Sequence, residues 1–437
     1  MANRMLSLCS RETSGRALIP QIDGLRFFAI GAVLLFHIDA YVAKRMTNPV
    51  GGGGPEPPGH LSGNLLHTLM GSGFFGVHLF FAISGFVLAL PFASHYLRGG
   101  AKPEIGKYFL RRFTRLEPPY FVHLLVMWVG FTLIAQHGVG DSLGHLVASL
   151  FYCHNAVYGK PSTISIVVWS LEIEVQFYIL APLLSCVFAV RPTWVRRGVI
   201  AGAMLAIGAA QAWSPLSIRH GLSILDTAHF FLCGFLLADL YLVSWKTPAR
   251  RPLLWDLLAL VGAAAMIAGL VAWSGDGTVG HDWRPHVLLP WSVLALYAGA
   301  LRGRLLNAFV SNGWVFTFGG MCYTCYLWHI PVIIGAGYVV RRLVPRFDAH
   351  ELNFAVMAPV ALAAVVVVTG VLFVLLEKPF MRKDWPQRAW QRLSGRGVKP
   401  VISVGVPTSQ TQALRPVVIN TTLVPSPLPT PDAATRG

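Results

Sequence analysis

The sequence predicts an all-α protein, a polytopic bundle of about ten membrane-spanning helices followed by a disordered tail. Three observations predict it. Of 437 residues, 54% are hydrophobic and only 12% are charged, about half the charged share of a soluble domain. The mean hydropathy is +0.57. Apolar stretches near the ~20 residues that cross a bilayer recur along nearly the whole chain.

The expected spans, in order, run near 21–41, 73–95, 117–136, 167–190, 198–213, 222–243, 254–273, 286–301, 322–341 and 354–377. Residues 1–19 are polar and basic, with no apolar core and cleavage site of the kind a removable signal peptide carries. Gly51 to Gly59, four glycines followed by Pro55, Pro57 and Pro58, reads as a flexible loop between the first two spans. Residues 305–318 read as an interfacial amphipathic helix. From about Ser403 the chain is rich in Pro, Thr and Ser with little charge, a composition that does not fold. No internal repeat is evident, which counts against transporters built from duplicated halves.

The net charge of +16 reads as basic loops on one membrane face rather than as a nucleic-acid footprint. Arg98, Lys102, Lys107, Arg111, Arg112, Arg115, Arg196, Arg197, Lys246, Arg250, Arg251, Arg302, Arg304 and the basic stretch from Lys378 to Lys399 fall on the N-terminal side of the bundle. That asymmetry places both termini in the cytoplasm, with Arg341, Arg342 and Arg346 as a local violation. The six cysteines fall mostly in or beside apolar segments and read as packing residues. Cys322 and Cys325 have CxxC spacing but no second pair, so no metal site is expected.

The chemistry-bearing residues are those that lipid should exclude. Arg26 and His37 in the first span are eleven positions apart, on one helix face and separated by about 16 Å along the axis. Arg26 either snorkels to the surface or faces a site; His37 lies too deep to snorkel, and reads as a structural hydrogen-bonded group, a proton relay or a general base. Arg112 and Arg115, at i and i+3 beside Arg111, suit either a phosphate-bearing ligand or anionic lipid headgroups. Glu172 and Glu174 enter an apolar helix on different faces just after Trp169 and Ser170, and each needs a partner or a proton. Tyr326 and His329 share a face of the ninth span, while Trp169 at the start of the fourth span and Trp328 in the ninth read as ordinary interfacial aromatics. His78, Asp226, His229 and Asp239 are further polar intrusions that read as hydrogen-bonded packing.

Taken in order, these pieces resemble the acyltransferase 3 family of polytopic membrane enzymes, which O-acylate sugars and related hydroxyl compounds. The resemblance rests on Asp23-Gly-Leu-Arg26 with His37, Gly73 to Phe86, Arg111 to Arg115 with Pro118 and Tyr120, Trp169-Ser-Leu with Glu174 and Phe177-Tyr178, Tyr323 to Pro331, and Glu377-Lys-Pro379. It covers residues 20–383, leaving 1–19 as a cytoplasmic segment and 384–437 as a basic, then disordered, cytoplasmic tail. It departs in the glycine-proline insertion after the first span, in Cys325 and in the long tail.

The resemblance implies a multi-pass protein of the bacterial inner membrane that binds no cofactor and uses acyl-CoA, commonly acetyl-CoA, as co-substrate from the cytoplasmic side. It implies Arg26 and His37 as the catalytic pair, and Arg111, Arg112 and Arg115 as donor-binding candidates; Glu174 reads as a catalytic candidate that either pairs with an arginine or tunes the histidine. Trp169, Ser170, Tyr326 and His329 are further candidates. The implied partners are membrane lipids and a carbohydrate, glycolipid or glycoside acceptor. A competing class is a proton-coupled transporter with His37 and Glu174 as relay.

Overall fold

The computed structural model describes residues 9–11, 18–47, 64–134, 138–213, 222–273, 284–381, 385 and 394. Among these the regular structure is helical throughout, with no strand. The Gly51–Gly59 loop and the tail beyond Ser403 lie outside the described residues. Eight helices are long and apolar enough to cross a membrane, and the chain is a multi-pass membrane protein.

The first is α1 (Pro20–Val42), with Pro20 in its first turn, where a missing N–H costs nothing. A short α2 (Leu65–Gly71), capped by the Asn64 side chain accepting from the His67 N–H, leads into α3 (Gly76–Arg98). Next come α4 (Ile105–Ile134), α5 (Val139–Leu150), α6 (His154–Tyr158) and α7 (Trp169–Leu184). The chain continues through α8 (Thr193–Trp213), α9 (Ile224–Asp239), α10 (Pro252–Trp273) and α11 (Leu289–Arg302). It closes with α12 (Leu305–Val310), α13 (Gly313–Gly320), α14 (Cys322–Leu343) and α15 (His350–Leu372), the last carried on by wider turns through Glu377.

Two of the ten expected spans, α8 and α11, are present as helices but fall outside the eight. The 14 residues of α11 reach only about 21 Å, short of the ~30 Å of a bilayer core. α8 carries Arg196 and Arg197 in its first turn. The third span starts earlier than expected, at Ile105, which puts Arg111, Arg112 and Arg115 on the helix itself.

Residues 305–318 are not one interfacial helix. Asn312 breaks them by capping α13, its side chain accepting from the Trp314 N–H. Both pieces then pack on α1. A Cβ on Gly319 would lie 1.7 Å from the Asp23 carbonyl oxygen, and one on Gly24 2.1 Å from that of Val310. Small residues likewise bring α3 and α9 together: a Cβ on Gly85 would meet the Phe231 carbonyl at 2.1 Å. Without a hydrophobic difference between lipid and side chain, such close backbone approach is what drives helices together. On the outside, α10 presents Leu253, Leu254, Leu257 and Val261, exposed from the bundle as lipid-facing residues should be.

α1 is the central element. Its Ala29, Ile30, Val33 and Ile38 are fully buried against neighbouring helices. That burial is what carries Asp23, Arg26, His37 and Asp39 into the protein interior.

Candidate functional site

A cavity of about 500 Å3 lies between α1, α3, α4, α7 and α14, well within the size range of small-molecule sites. One end is polar. Arg11, Arg26, Arg112 and Arg115 line it together with Glu117, Glu174 and Glu377. Asp23 accepts charge-assisted hydrogen bonds from both Arg11, at 2.9 Å, and Arg26, one helical turn on. The two guanidinium groups are therefore held at the cavity wall rather than extended toward solvent. Burial lowers the Arg11 pKa and the nearby Arg26 adds to this, while Asp23 opposes both.

Arg112 and Arg115 face the cavity from successive turns of α4, and Arg112 lies 5.4 Å from the centre of the Tyr178 ring. The Arg115 Nε is buried with no hydrogen-bond partner, as is that of Arg11. Unpaired buried donors of this kind are costly and mark a place where a ligand's acceptors fit. Glu377 is fixed by the Thr324 backbone N–H at 3.2 Å and by its hydroxyl at 2.5 Å.

The other end is apolar and aromatic, lined by Val77, Phe80, Phe81 and Tyr326. Glu174 sits on the wall between the two ends and accepts from the Ser84 hydroxyl at 2.5 Å. Glu172, two positions earlier, turns away: it accepts the Asn155 backbone N–H at 2.8 Å and plays no part in the cavity wall.

Tyr326 closes the apolar end. Its hydroxyl donates to the Val167 carbonyl at 2.9 Å, and so accepts from Ser170 Oγ at 2.7 Å. One turn further along α14, His329 is fully buried. Its Nδ1 lies 2.7 Å from the Tyr326 carbonyl and 3.2 Å from that of Cys325. A carbonyl can only accept, so Nδ1 carries the proton and Nε2 is the acceptor. That Nε2 faces His37 Nδ1 at 3.3 Å, and His37 Nδ1 is also 2.9 Å from the Val33 carbonyl. The same logic puts the His37 proton on Nδ1, shared between these two acceptors, and leaves its Nε2 lone pair as the basic atom of the pair.

The acyltransferase-domain family model matches residues 19–376. The chain belongs to this acyltransferase family. It is similar to a peptidoglycan O-acetyltransferase, OatA, of Listeria monocytogenes, at 24% identity over 73% of this chain and 50% of that one. It is similar also to the O-acetyltransferase OatA of Staphylococcus aureus, at 24% identity over 75% of this chain and 53% of that one. The chain spans about half the length of these curated relatives. No solved structure matches it.

Within this member of the acyltransferase family, most of the residues singled out from the sequence fall into two groups. Arg26, Arg112, Arg115, Ser170, Glu174 and Tyr326 line the one cavity, and His37 and His329 meet just beyond it. Arg111 does not join them: it is exposed, with its Nε donating to the Lys107 carbonyl at 3.0 Å. Trp169 is half-buried at the start of α7, where its carbonyl accepts from Asn155. Asp239 is a packing residue, clamped by Arg196 and Arg197.

The sequence reading missed Arg11, Ser84 and Tyr152 as wall residues. It also missed His123, buried beside Trp328 and 2.9 Å from Ser165 Oγ. Arg11 was visible only as one more basic residue before the first span, and Ser84 only as a small polar residue in an apolar run. Tyr152 and His123 carried no spacing signal at all.

Proposed function

We propose that this acyltransferase moves an acyl group, acetyl in the first instance, from cytoplasmic acyl-CoA to a hydroxyl of a cell-envelope carbohydrate. The observation that carries the reading is the continuity of the cavity. Its wall runs from four arginines past the Ser84–Glu174 hydrogen bond to Tyr326, one helical turn from the His329–His37 pair.

Phosphates of the nucleotide moiety pair with Arg112 and Arg115, whose guanidinium groups offer several donors each. The pantetheine arm runs along the apolar wall. The thioester then reaches the Tyr326 end, and the acceptor approaches His37 from the opposite face of the membrane. His37 Nε2 takes the proton of the acceptor hydroxyl as its oxygen bonds to the thioester carbonyl carbon. The tetrahedral intermediate collapses with cleavage of the C–S bond, the thiolate leaves, and the proton on His37 passes to it. His329 holds the His37 ring through its Nε2 and stabilises the imidazolium that forms. Arg26 orients the donor from the cavity wall.

The relatives' names, peptidoglycan O-acetyltransferase and O-acetyltransferase, favour a wall glycan as acceptor. The basic side of the bundle supports a cytoplasmic donor mouth, both termini inside and residence in the bacterial inner membrane.

His37→Ala is expected to lower transfer from labelled acetyl-CoA by about 100-fold or more, the usual worth of a positioned base, at unchanged membrane abundance. Undiminished transfer would falsify the role of His37. Mass spectrometry of envelope glycans with and without the protein identifies the acceptor by its lost acetyl increment. Proton-coupled solute flux without thioester turnover would instead make the chain a carrier.

A further inference from the structure

A second cluster of buried polar groups lies outside the cavity, and the acyl-transfer reading makes no use of it. Asp39 is two residues beyond His37 near the end of α1, His67 is on α2, and His350 opens α15. All three are buried, to 1%, 7% and 4% exposure. His350 Nε2 lies 2.7 Å from Asp39 Oδ1, and His67 Nδ1 lies 2.6 Å from Oδ2. The His67 nitrogen sits off the line that a hydrogen bond needs, and is a buried ring nitrogen with no hydrogen-bond partner. The candidate donor atoms, one from each residue, all fall within 4.8 Å of one another.

We infer that Asp39, His67 and His350 bind a divalent transition-metal ion of the zinc class. Two imidazoles and one carboxylate are a donor set that Zn2+ takes at about 2.0–2.1 Å per bond, with donors roughly 3.3 Å apart in a tetrahedron. The observed spread needs only small side-chain shifts to reach it. One carboxylate balances half the ion's charge, and the rest is shared by neutral imidazoles, which explains how the His67 nitrogen is satisfied without a proton. The three residues lie far apart in sequence, so the ion would tie together the ends of α1, α2 and α15. Asp39 and His37 share the last turns of α1, and the clip would therefore fix the helix that presents the base. Three protein ligands leave a fourth position for water. The inference contradicts the expectation from sequence that no metal binds, which rested on cysteine spacing alone.

The test uses the full chain, purified in detergent through a tag free of histidine, stripped with chelator and titrated with Co2+. The expected result is about one ion per chain, as a single three-residue site implies, with the intense visible absorption of tetrahedral cobalt. His67→Gln and Asp39→Asn should each lose that absorption, and metal should raise the melting temperature of the wild type only. Wild-type protein that takes up no Co2+ overturns the inference and leaves a metal-free His–Asp–His network. So does a His67→Gln protein with the spectrum unchanged. The wild-type titration decides the question even where a variant fails to fold, and its outcome is independent of acyl transfer.

Discussion

Two aspartates in this molecule are each gripped by a pair of arginines, and they do different things. Asp239, at the end of α9, binds Arg196 and Arg197 from α8. Arg196 is almost fully buried, and its Nη1 donates to the Val190 carbonyl at 2.7 Å and reaches that of Arg191 at 3.5 Å. Asp23, on α1, binds Arg11 and Arg26, whose side chains keep 17% and 16% of their surface exposed, on a cavity wall. The first cluster leaves none of its buried side-chain donors unpaired among the described residues. The second is open, with the Arg11 Nε still unpaired. The same residue types thus make a strut in one place and a binding wall in the other, and what separates them is whether donors are left over.

The largest expected effect breaks the strut. Asp239→Ala leaves Arg196 as an uncompensated buried cation, a change that costs about 3–5 kcal/mol. Arg197 is partly exposed and can rehydrate, so most of the loss traces to Arg196. The measurement is the melting temperature in detergent, with folded yield as a second readout. Asp23→Asn is expected to cost less, because both of its arginines reach the cavity and its water. Equal losses at the two sites would erase the distinction between them.

The next effect probes the open wall. Arg112→Ala combined with Arg115→Ala removes charge-assisted hydrogen bonds worth about 1.5–3 kcal/mol each. The Kd for acyl-CoA, read by calorimetry, is expected to rise at least about tenfold, with little change in melting temperature. The weakening should shrink at high salt, since part of the attraction is screened there. Unchanged affinity would return these arginines to the role of lipid-headgroup anchors.

The contrast was only half legible in the sequence. The spans could be read because a bilayer imposes a length and a composition on each helix, and Arg26, Arg112, Arg115 and Glu174 stood out because ionisable groups inside a span need a reason. Partner identity was hidden. Asp239 looked like any polar intrusion until Arg196, 43 positions away, was found on it. Arg11 looked like a loop cation until Asp23 turned it inward. Nothing about α13 revealed that Gly319 lets it lie against α1, because close backbone approach depends on the facing helix as well as on the glycine. His329 was visible as a residue, but its contact with His37, 292 positions away, was not.

The smallest effect tests where the open wall ends and the chemistry begins. Ser170 donates to the Tyr326 hydroxyl, which keeps its own bond to the Val167 carbonyl. Ser170→Ala therefore removes one neutral hydrogen bond, worth about 1 kcal/mol or roughly a fivefold change in rate. Tyr326 also supplies the carbonyl that orients His329, so loosening it acts on the histidine pair and not on the arginines at the other end of the cavity. The loss should appear in kcat, with KM for acyl-CoA unchanged, the reverse of the arginine double variant. A rise in KM at constant kcat would mean that the donor's phosphates or arm reach as far as Ser170. The boundary between binding wall and reacting end would then have to move one helical turn toward His37.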